Sequence, residues 1–401
     1  MNKLKTLEEL TSSHSENGSK LDVLLLANSD YSAGCCLDYI NAIQNNSNHR
    51  VTVRNPMAKS RSDKLFLRPY ISLKNDYGKN FDVIIIHYSI CIIFRNYISF
   101  LLRKKIRNFK GLKIVIIQDE YRWINRILKE MVYLNVDCVV SLLDKENINK
   151  VYNHPQLENK LMVSALAGYV SNNWVDRDVP NISERKKHII YRGNNLPFWL
   201  GNGAHEKSVL SEKILENFDD KGLNLDVSSN PRDRIYGKDW LDFMKSGKCV
   251  IGLEGGASIF DFDGSVEKKV RKFQSENPKA VYEKIHREFL SSYEDKVYYR
   301  MITPRSFEAI AMKTVQVLYP GKYSGILEPW RHYIPINRDF SNLNEVISAI
   351  KNDDFLQKMA NQAYSEIIES KNYSEEKLGR GIDSIVSNLL AKKSHPIIDE
   401  K

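Results

Sequence analysis

The sequence predicts an α/β protein made of two Rossmann-like halves, and three observations carry that reading. Short apolar runs of strand length alternate with helical patterns. The alternation restarts after a polar stretch near residue 180. At 401 residues the chain is too long for one ordinary core.

Composition narrows the function classes. Hydrophobic residues make up 42% of the chain and the mean hydropathy is −0.43, as in globular proteins that work in water. The 59 Lys and Arg against 50 Asp and Glu leave a formal charge of +9, which favours anionic partners. The basic residues are scattered and form no recognisable nucleic-acid module, which argues against nucleic acid as that partner. The five cysteines, Cys35, Cys36, Cys91, Cys138 and Cys249, are odd in number and lack metal-ligand spacing. They read as buried thiols in a reducing compartment. The N-terminus has no apolar core of a signal peptide and no run reaches the roughly 18 apolar residues of a membrane span, so the expected location is the cytoplasm.

Residues 1–18 are polar and read as a loose tail, with one helical turn around Leu4 to Leu10. A first domain is expected over 19–175. It opens with a strand at Leu21–Ala27, a loop at Asn28–Gly34 and a helix over Cys35–Ile43. The loop lacks GxGxxG, so a dinucleotide fingerprint is unsupported. Further strands are expected at Val51–Val53, Phe81–His87, Leu112–Gln118, Asp137–Ser141 and Leu161–Ala165, with helices at about 91–108, 121–133 and 144–151. That alternation predicts a parallel sheet whose ligands lie beyond the carboxyl ends of the strands. The residues just past those ends are Asn28–Asp30, His87–Ser89 and Asp119–Trp123, and they should converge on one crevice.

A linker is expected over 176–187, with Pro180 and the charged run Glu184–Lys187. The second domain, 188–370, then repeats the pattern. Strands are expected at His188–Tyr191, Leu223–Val227 and Lys248–Leu253, and helices at about 204–218, 265–293 and 342–369. Residues 371–401 supply a closing helix, about 374–392, and a tail. Within the second domain, Thr303 suits an N-cap and Pro304 a first helical turn, and Thr314–Leu318 is a β-branched strand ending at Pro320-Gly321. Such a unit sets a helix N-terminus, with its anion-binding N–H groups, near the carboxylate of Glu308.

Several residues could carry chemistry, each with a structural alternative. Arg192, just past a strand, and Lys207, early in a helix, could hold phosphates or be solvated charges. Glu254-Gly255-Gly256-Ala257-Ser258 offers a carboxylate beside backbone that a ligand can touch, or else a tight turn. His87 at a strand tip is a catalytic or a hydrogen-bonded structural histidine. Asp119 and Glu120 could take a proton from an acceptor hydroxyl, or Asp119 could cap a helix, and Asp30 carries the same ambiguity. The apolar stretch Ile90–Leu102, followed by the basic cluster Arg103–Lys110, is either a core helix with a basic end or a surface that rests on an anionic membrane.

Taken in order, YRGNNLPFWLG, HEKS, DRIYGKDW, GLEGGASIFDFDG, PRSFEAIAMKTVQVL and YSGILEPWRHYIP, between Ile190 and Asn342, resemble the GT-B glycosyltransferases. The nearest likeness is to a bacterial subgroup related to the CgeB-like proteins and loosely to the family 4 type. The N-terminal half shares mainly the architecture and QDEYRW. The resemblance implies two Rossmann-like domains facing a central cleft, with the last helix crossing back to the first domain. It implies glycosyl transfer from a nucleotide-sugar to a hydroxyl acceptor, in a bacterial surface polysaccharide such as O-antigen or capsule. The alternatives are a nucleotide-sugar epimerase of the same fold and a non-enzymatic anion-binding assembly protein. Glu308 matches the ribose-binding Glu, and Arg192 and Lys207 match the diphosphate-binding cations. Arg305, Gly255, Gly256, Ser258, Tyr323 and Ser324 would line the donor pocket. No metal is obligatory in this scheme, the nucleotide-sugar is a co-substrate, and the acceptor is a saccharide or a lipid-linked one. Contact with the inner membrane surface would be peripheral. One departure stands out: family 4 enzymes often carry a second Glu where this chain has Arg300, so Glu254 would supply the sugar-facing carboxylate.

Overall fold

The computed structural model describes residues 3–11, 19–30, 34–57, 73, 79–175 and 177–394. The chain forms two compact units, Met1–Ala165 together with Glu375–Lys401, and Leu166–Ser374.

The first unit is built on seven strands: β1 (Lys3–Thr6), β2 (Asp22–Leu26), β3 (Arg50–Arg54), β4 (Val83–Ile86), β5 (Leu112–Ile116), β6 (Cys138–Ser141) and β7 (Leu161–Ser164). They lie in the order β1-β7-β6-β5-β4-β2-β3 and every pair is parallel. β2, β4, β5 and β6 are buried along their whole length, which is why they are continuous apolar runs in the sequence.

Two expectations fail in this unit. The tail expected over 1–18 is ordered where it is described. Lys3–Thr6 is the edge strand β1, and the helix Leu7–Thr11 buries Leu7 and Leu10; residues 12–18 lie outside the described set. The reason is long-range: a Cβ built on Gly381 would come within 2.5 Å of Leu7, so the helix Glu375–Ser394 supplies the surface that Leu7 covers. The helix expected over 91–108 exists only as Phe100–Asn108, and the residues before it form turns. Arg103, 7% exposed, causes this. Its guanidinium donates to the carbonyls of Ile98 and Ile92 and pairs with Glu130, so the apolar stretch wraps round a buried cation.

The helix Glu375–Ser394 packs on the helix Gly34–Asn46 in the same unit. Asp383, almost fully buried, accepts from the Ser47 hydroxyl and from the Asn48 N–H at the end of that contact.

The second unit carries five parallel strands, β8 (Lys187–Arg192), β9 (Leu225–Ser228), β10 (Gly247–Gly252), β13 (Val315–Leu318) and β14 (Tyr333–Pro335), in the order β14-β13-β10-β8-β9. A separate antiparallel pair joins β11 (Gly255–Gly256) to β12 (Arg300–Met301). The stretch expected as a linker is pinned to this sheet. Arg185, 4% exposed, donates to the carbonyls of Pro180, Gly247 and Met312 and to the Thr314 hydroxyl. A charged run in the sequence therefore hides one internal clamp. The helix expected over 265–293 breaks after Ser265–Glu276, because Asn277-Pro278 stops it, and resumes at Tyr282–Ile285.

Helix contact makes a prediction about Gly379. Alanine there would gain up to about 1 kcal/mol of helix propensity. Its Cβ, however, would meet the Asn46 backbone at 2.5 Å, and backbone cannot swing aside as a flexible side chain can. Gly379→Ala should lower stability by about 1–3 kcal/mol in urea unfolding.

Candidate functional site

In the second unit the polar residues gather at the carboxyl ends of β8, β10 and β13. The Gly255–Gly256 pair places them. Gly256 has φ of 107°, and a Cβ there would lie 1.9 Å from the Tyr299 carbonyl, so only glycine lets β12 pair this closely. β12 runs into Ile302-Thr303 and then the helix Pro304–Ala311. Thr303 has extended N-cap geometry, but its hydroxyl makes no capping bond. Ser324, left-handed at φ 56°, accepts the Ile302 N–H at 3.3 Å and braces that approach.

Two candidate side chains stand on this helix. Arg305 lies over the rings of Trp240, at 5.2 Å, and Tyr191, at 5.9 Å, and among the described residues it has no carboxylate partner. Glu308, 9% exposed, accepts from the Trp240 indole N–H at 2.7 Å. A cation on aromatic faces in the first turn and an oriented carboxylate in the second thus share one helix, an arrangement suited to a diphosphate and a diol. Trp240 escaped the sequence reading because nothing in its spacing ties it to a glutamate 68 positions later.

Arg192 is placed differently from expectation. Its guanidinium donates to the carbonyls of Asp233, Tyr191 and Asp226, pairs with the Asp226 carboxylate at 2.6 Å, and stacks on Phe243. Every nitrogen is engaged, so Arg192 ties β8 to β9. Lys207 stands on the helix Asn202–Phe218, where its carbonyl accepts from Tyr191 Oη at 3.3 Å. Ser258, 1% exposed, accepts the Gly203 N–H at 3.1 Å and so anchors that helix.

Beside them, Glu206, Glu254, Arg300, Tyr319 and Arg338 line a pocket of about 10 Å³, room for a single water. Burial raises the Glu254 pKa, while its Oε1 takes the Tyr323 N–H at 2.7 Å and its Oε2 the Tyr298 hydroxyl at 3.3 Å. Tyr323 points its own ring into the core, its hydroxyl bonded to the Tyr319 carbonyl. Arg338 donates to Glu206 at 2.8 Å, while Glu206 Oε2, Tyr319 Oη and Arg300 Nε are buried with no hydrogen-bond partner among the described residues.

In the first unit the strand-end loops meet in part. The Ser89 hydroxyl accepts the Asn28 N–H at 2.9 Å and lies 2.9 Å from His87 Nδ1. Asp30 is exposed and accepts from Asn55. His87 is wholly buried, and desolvation holds its pKa down at about 3, so the ring is neutral. Asp119 is exposed at the end of β5 with φ of 54°. Glu120, next to it, is fully buried and accepts from Ser141, Tyr152 and the Leu142 N–H, which places it inside the fold rather than against an acceptor. Among the described residues, no group of three His, Cys, Asp or Glu is placed to hold a metal, and no helix is long and apolar enough to cross a membrane.

Two predictions separate structure from binding. Arg192→Met should cost about 2–3 kcal/mol of stability, since it strands the Asp226 carboxylate and three carbonyls, and leave nucleotide affinity within about twofold by calorimetry. Burial pushes the Glu120 pKa up to about 7, above the ordinary carboxylate range. The folded state therefore holds the proton longer than the unfolded chain, and this residue's contribution falls as pH rises from about 4.5 to about 7. The loss is about 3 kcal/mol, and Glu120→Gln should flatten it in urea midpoints compared at about pH 5 and about pH 8.

No family model matches this chain, and no curated protein matches it in sequence. Solved structures do. An α-glucosyltransferase in complex with UDP-glucose and DNA containing an abasic site aligns over 92% of this chain and 100% of its own, with a TM-score of 0.53 at 14% identity. A DNA-modifying β-glucosyltransferase, solved with and without uridine diphosphoglucose, aligns over 92% and 99%, with a TM-score of 0.50 at 15% identity. A match to TarM covers 76% of this chain but only 54% of TarM, with a TM-score of 0.39 at 13% identity, so this chain spans about half of that protein. The chain has the GT-B fold of these glucosyltransferases.

Proposed function

We propose that this protein transfers a glycosyl group from a nucleotide-sugar to a hydroxyl acceptor. The observation that carries the reading is the pairing of Arg305 on aromatic faces with Glu308 held by Trp240, on successive turns of one helix. Glu308 receives the ribose hydroxyls. Arg305 and the helix N–H groups take the charge that grows on the diphosphate as the bond to the sugar breaks, where a preoriented cation acts without reorganising. This role passes from Arg192, whose donors are spent, to Arg305. Lys207 remains a second cation for the diphosphate. Glu254 and the pocket beside it, with Gly255, Gly256 and Arg300, form the sugar end.

For an inverting transfer the base that takes the acceptor proton is Asp119 or Asp30, the two carboxylates that stay exposed at strand ends. His87 and Glu120 position these loops from inside. The acceptor is a saccharide of a bacterial surface polysaccharide, and membership of the CgeB-like subgroup rests on the ordered motifs between Ile190 and Asn342. Peripheral contact with the membrane is supported by Phe100 and Leu101, 54% and 47% exposed, beside the basic end of their helix.

The UDP-glucose complex of the α-glucosyltransferase makes UDP the first nucleotide to test. Calorimetry with UDP, GDP, CMP and dTDP should find one clear binder. Glu308→Ala and Arg305→Ala should each weaken it roughly 10- to 100-fold, the loss of one charged hydrogen bond. Absence of binding by all four nucleotides sinks the reading.

A further inference from the structure

The amino ends of β5, β6 and β7 open into a groove of about 890 Å³, within the first unit and at the opposite end of its sheet from Asp30 and Asp119. Six cations line it: Arg107, Lys110, Lys113, Lys129, Lys160 and Lys393. Arg107, Lys110 and Lys113 come from one stretch and Lys129, Lys160 and Lys393 from three others, so the fold gathers cations that the sequence separates. The groove holds one carboxylate, Asp137, and its Oδ2 is occupied by the Lys113 N–H at 2.9 Å. Among the described residues, none of the six cations forms an ion pair with a carboxylate.

Lys113 sits deepest, 4% exposed. Among the described residues its ammonium reaches only the carbonyls of Arg107 and Phe109, at 3.5 and 3.4 Å. Those contacts explain why one lysine is buried at the end of a helix, where carbonyls favour a cation. They do not explain five more cations round it. Burial lowers the Lys113 pKa, Asp137 opposes the shift, and Lys160, Lys393 and Lys110 lower it further. Convergence of like charges costs stability unless an anion neutralises it.

We propose that this groove binds a single nucleic-acid strand through its phosphates in series. Its volume is that of a whole ligand pocket, too large for a lone phosphate. Its concave form takes a strand rather than the flat plane of lipid headgroups. Tyr133, already beneath Arg107 at 4.8 Å, and Phe109 give the walls apolar surface for the units between phosphates. The site is independent of the donor pocket and holds whether or not the transfer reaction is as proposed.

The test is fluorescence anisotropy with a labelled single-stranded oligonucleotide, with inorganic polyphosphate as competitor. The full-length chain should bind the strand, its log affinity falling with log salt by about 0.7 per phosphate engaged. Polyphosphate should displace the strand, since phosphate is what the groove reads. Lys110→Glu/Lys129→Glu changes two exposed side chains, so folding, checked by circular dichroism, is retained. The double variant should bind at least about tenfold more weakly, with a salt slope shallower by roughly 1.4, and its UDP calorimetry should match the unmodified chain. Equal strand binding by the double variant overturns the proposal, as does failure of both polyanions to bind at roughly 50 mM salt. Anionic phospholipid vesicles held through these two lysines while the strand is ignored would also overturn it.

Discussion

The second unit depends on one close approach, that of the Gly256 backbone to the Tyr299 carbonyl. Because no side chain intervenes, a two-residue antiparallel pair can hold the segment before the helix Pro304–Ala311 against the segment after β10. Thr303 closes the same gap from the other side, since a Cβ on Gly255 would meet its methyl at 2.5 Å. The helix start is therefore fixed by backbone rather than by a cap. Everything that makes the site plausible chemically, the cation on Trp240 and the carboxylate bonded to it, follows from where that helix begins.

Positive charge in this protein does two kinds of work. Arg103, Arg185 and Arg192 are buried or nearly so, and their forks collect carbonyl groups that strand ends and turns leave without partners. Arginine suits this role because it offers five donors in a rigid plane and keeps its charge. The net charge of +9 therefore overstates how much cation faces a ligand. Two places gather cations without clamping the backbone: Arg305 in one unit, and the groove about Lys113 in the other.

The fold was legible wherever one face of the argument was local. Strands such as Leu24–Leu26 and Ile84–Ile86 are apolar on both sides because both sides are covered, and the sequence displays that directly. β1 was hidden because a short edge strand alternating Lys and Leu or Thr looks like any polar tail until β7 lies beside it. In the candidate site, the helix that carries Glu308 was legible from its Thr303-Pro304 start. Arg192 stayed ambiguous because a phosphate ligand and a strand clamp occupy the same spot in sequence, and its carboxylate partner, Asp226, is 34 residues away. Glu120 and Asp119 are neighbours with opposite environments, a difference set by Ser141 and Tyr152 rather than by anything adjacent.

The division of the chain has a consequence for its synthesis. The unit Leu166–Ser374 is one continuous stretch, so all of its sheet has been made before the last helix leaves the ribosome. The other unit is split, and Leu7, Leu10 and the face of Gly34–Asn46 that meets Gly379 stay uncovered until Glu375–Ser394 emerges. The unit that begins earlier in the sequence is thus finished later than the one inserted in it. A ribosome stalled before residue 375 would hold a completed second unit and a first one with its apolar seam open to chaperones.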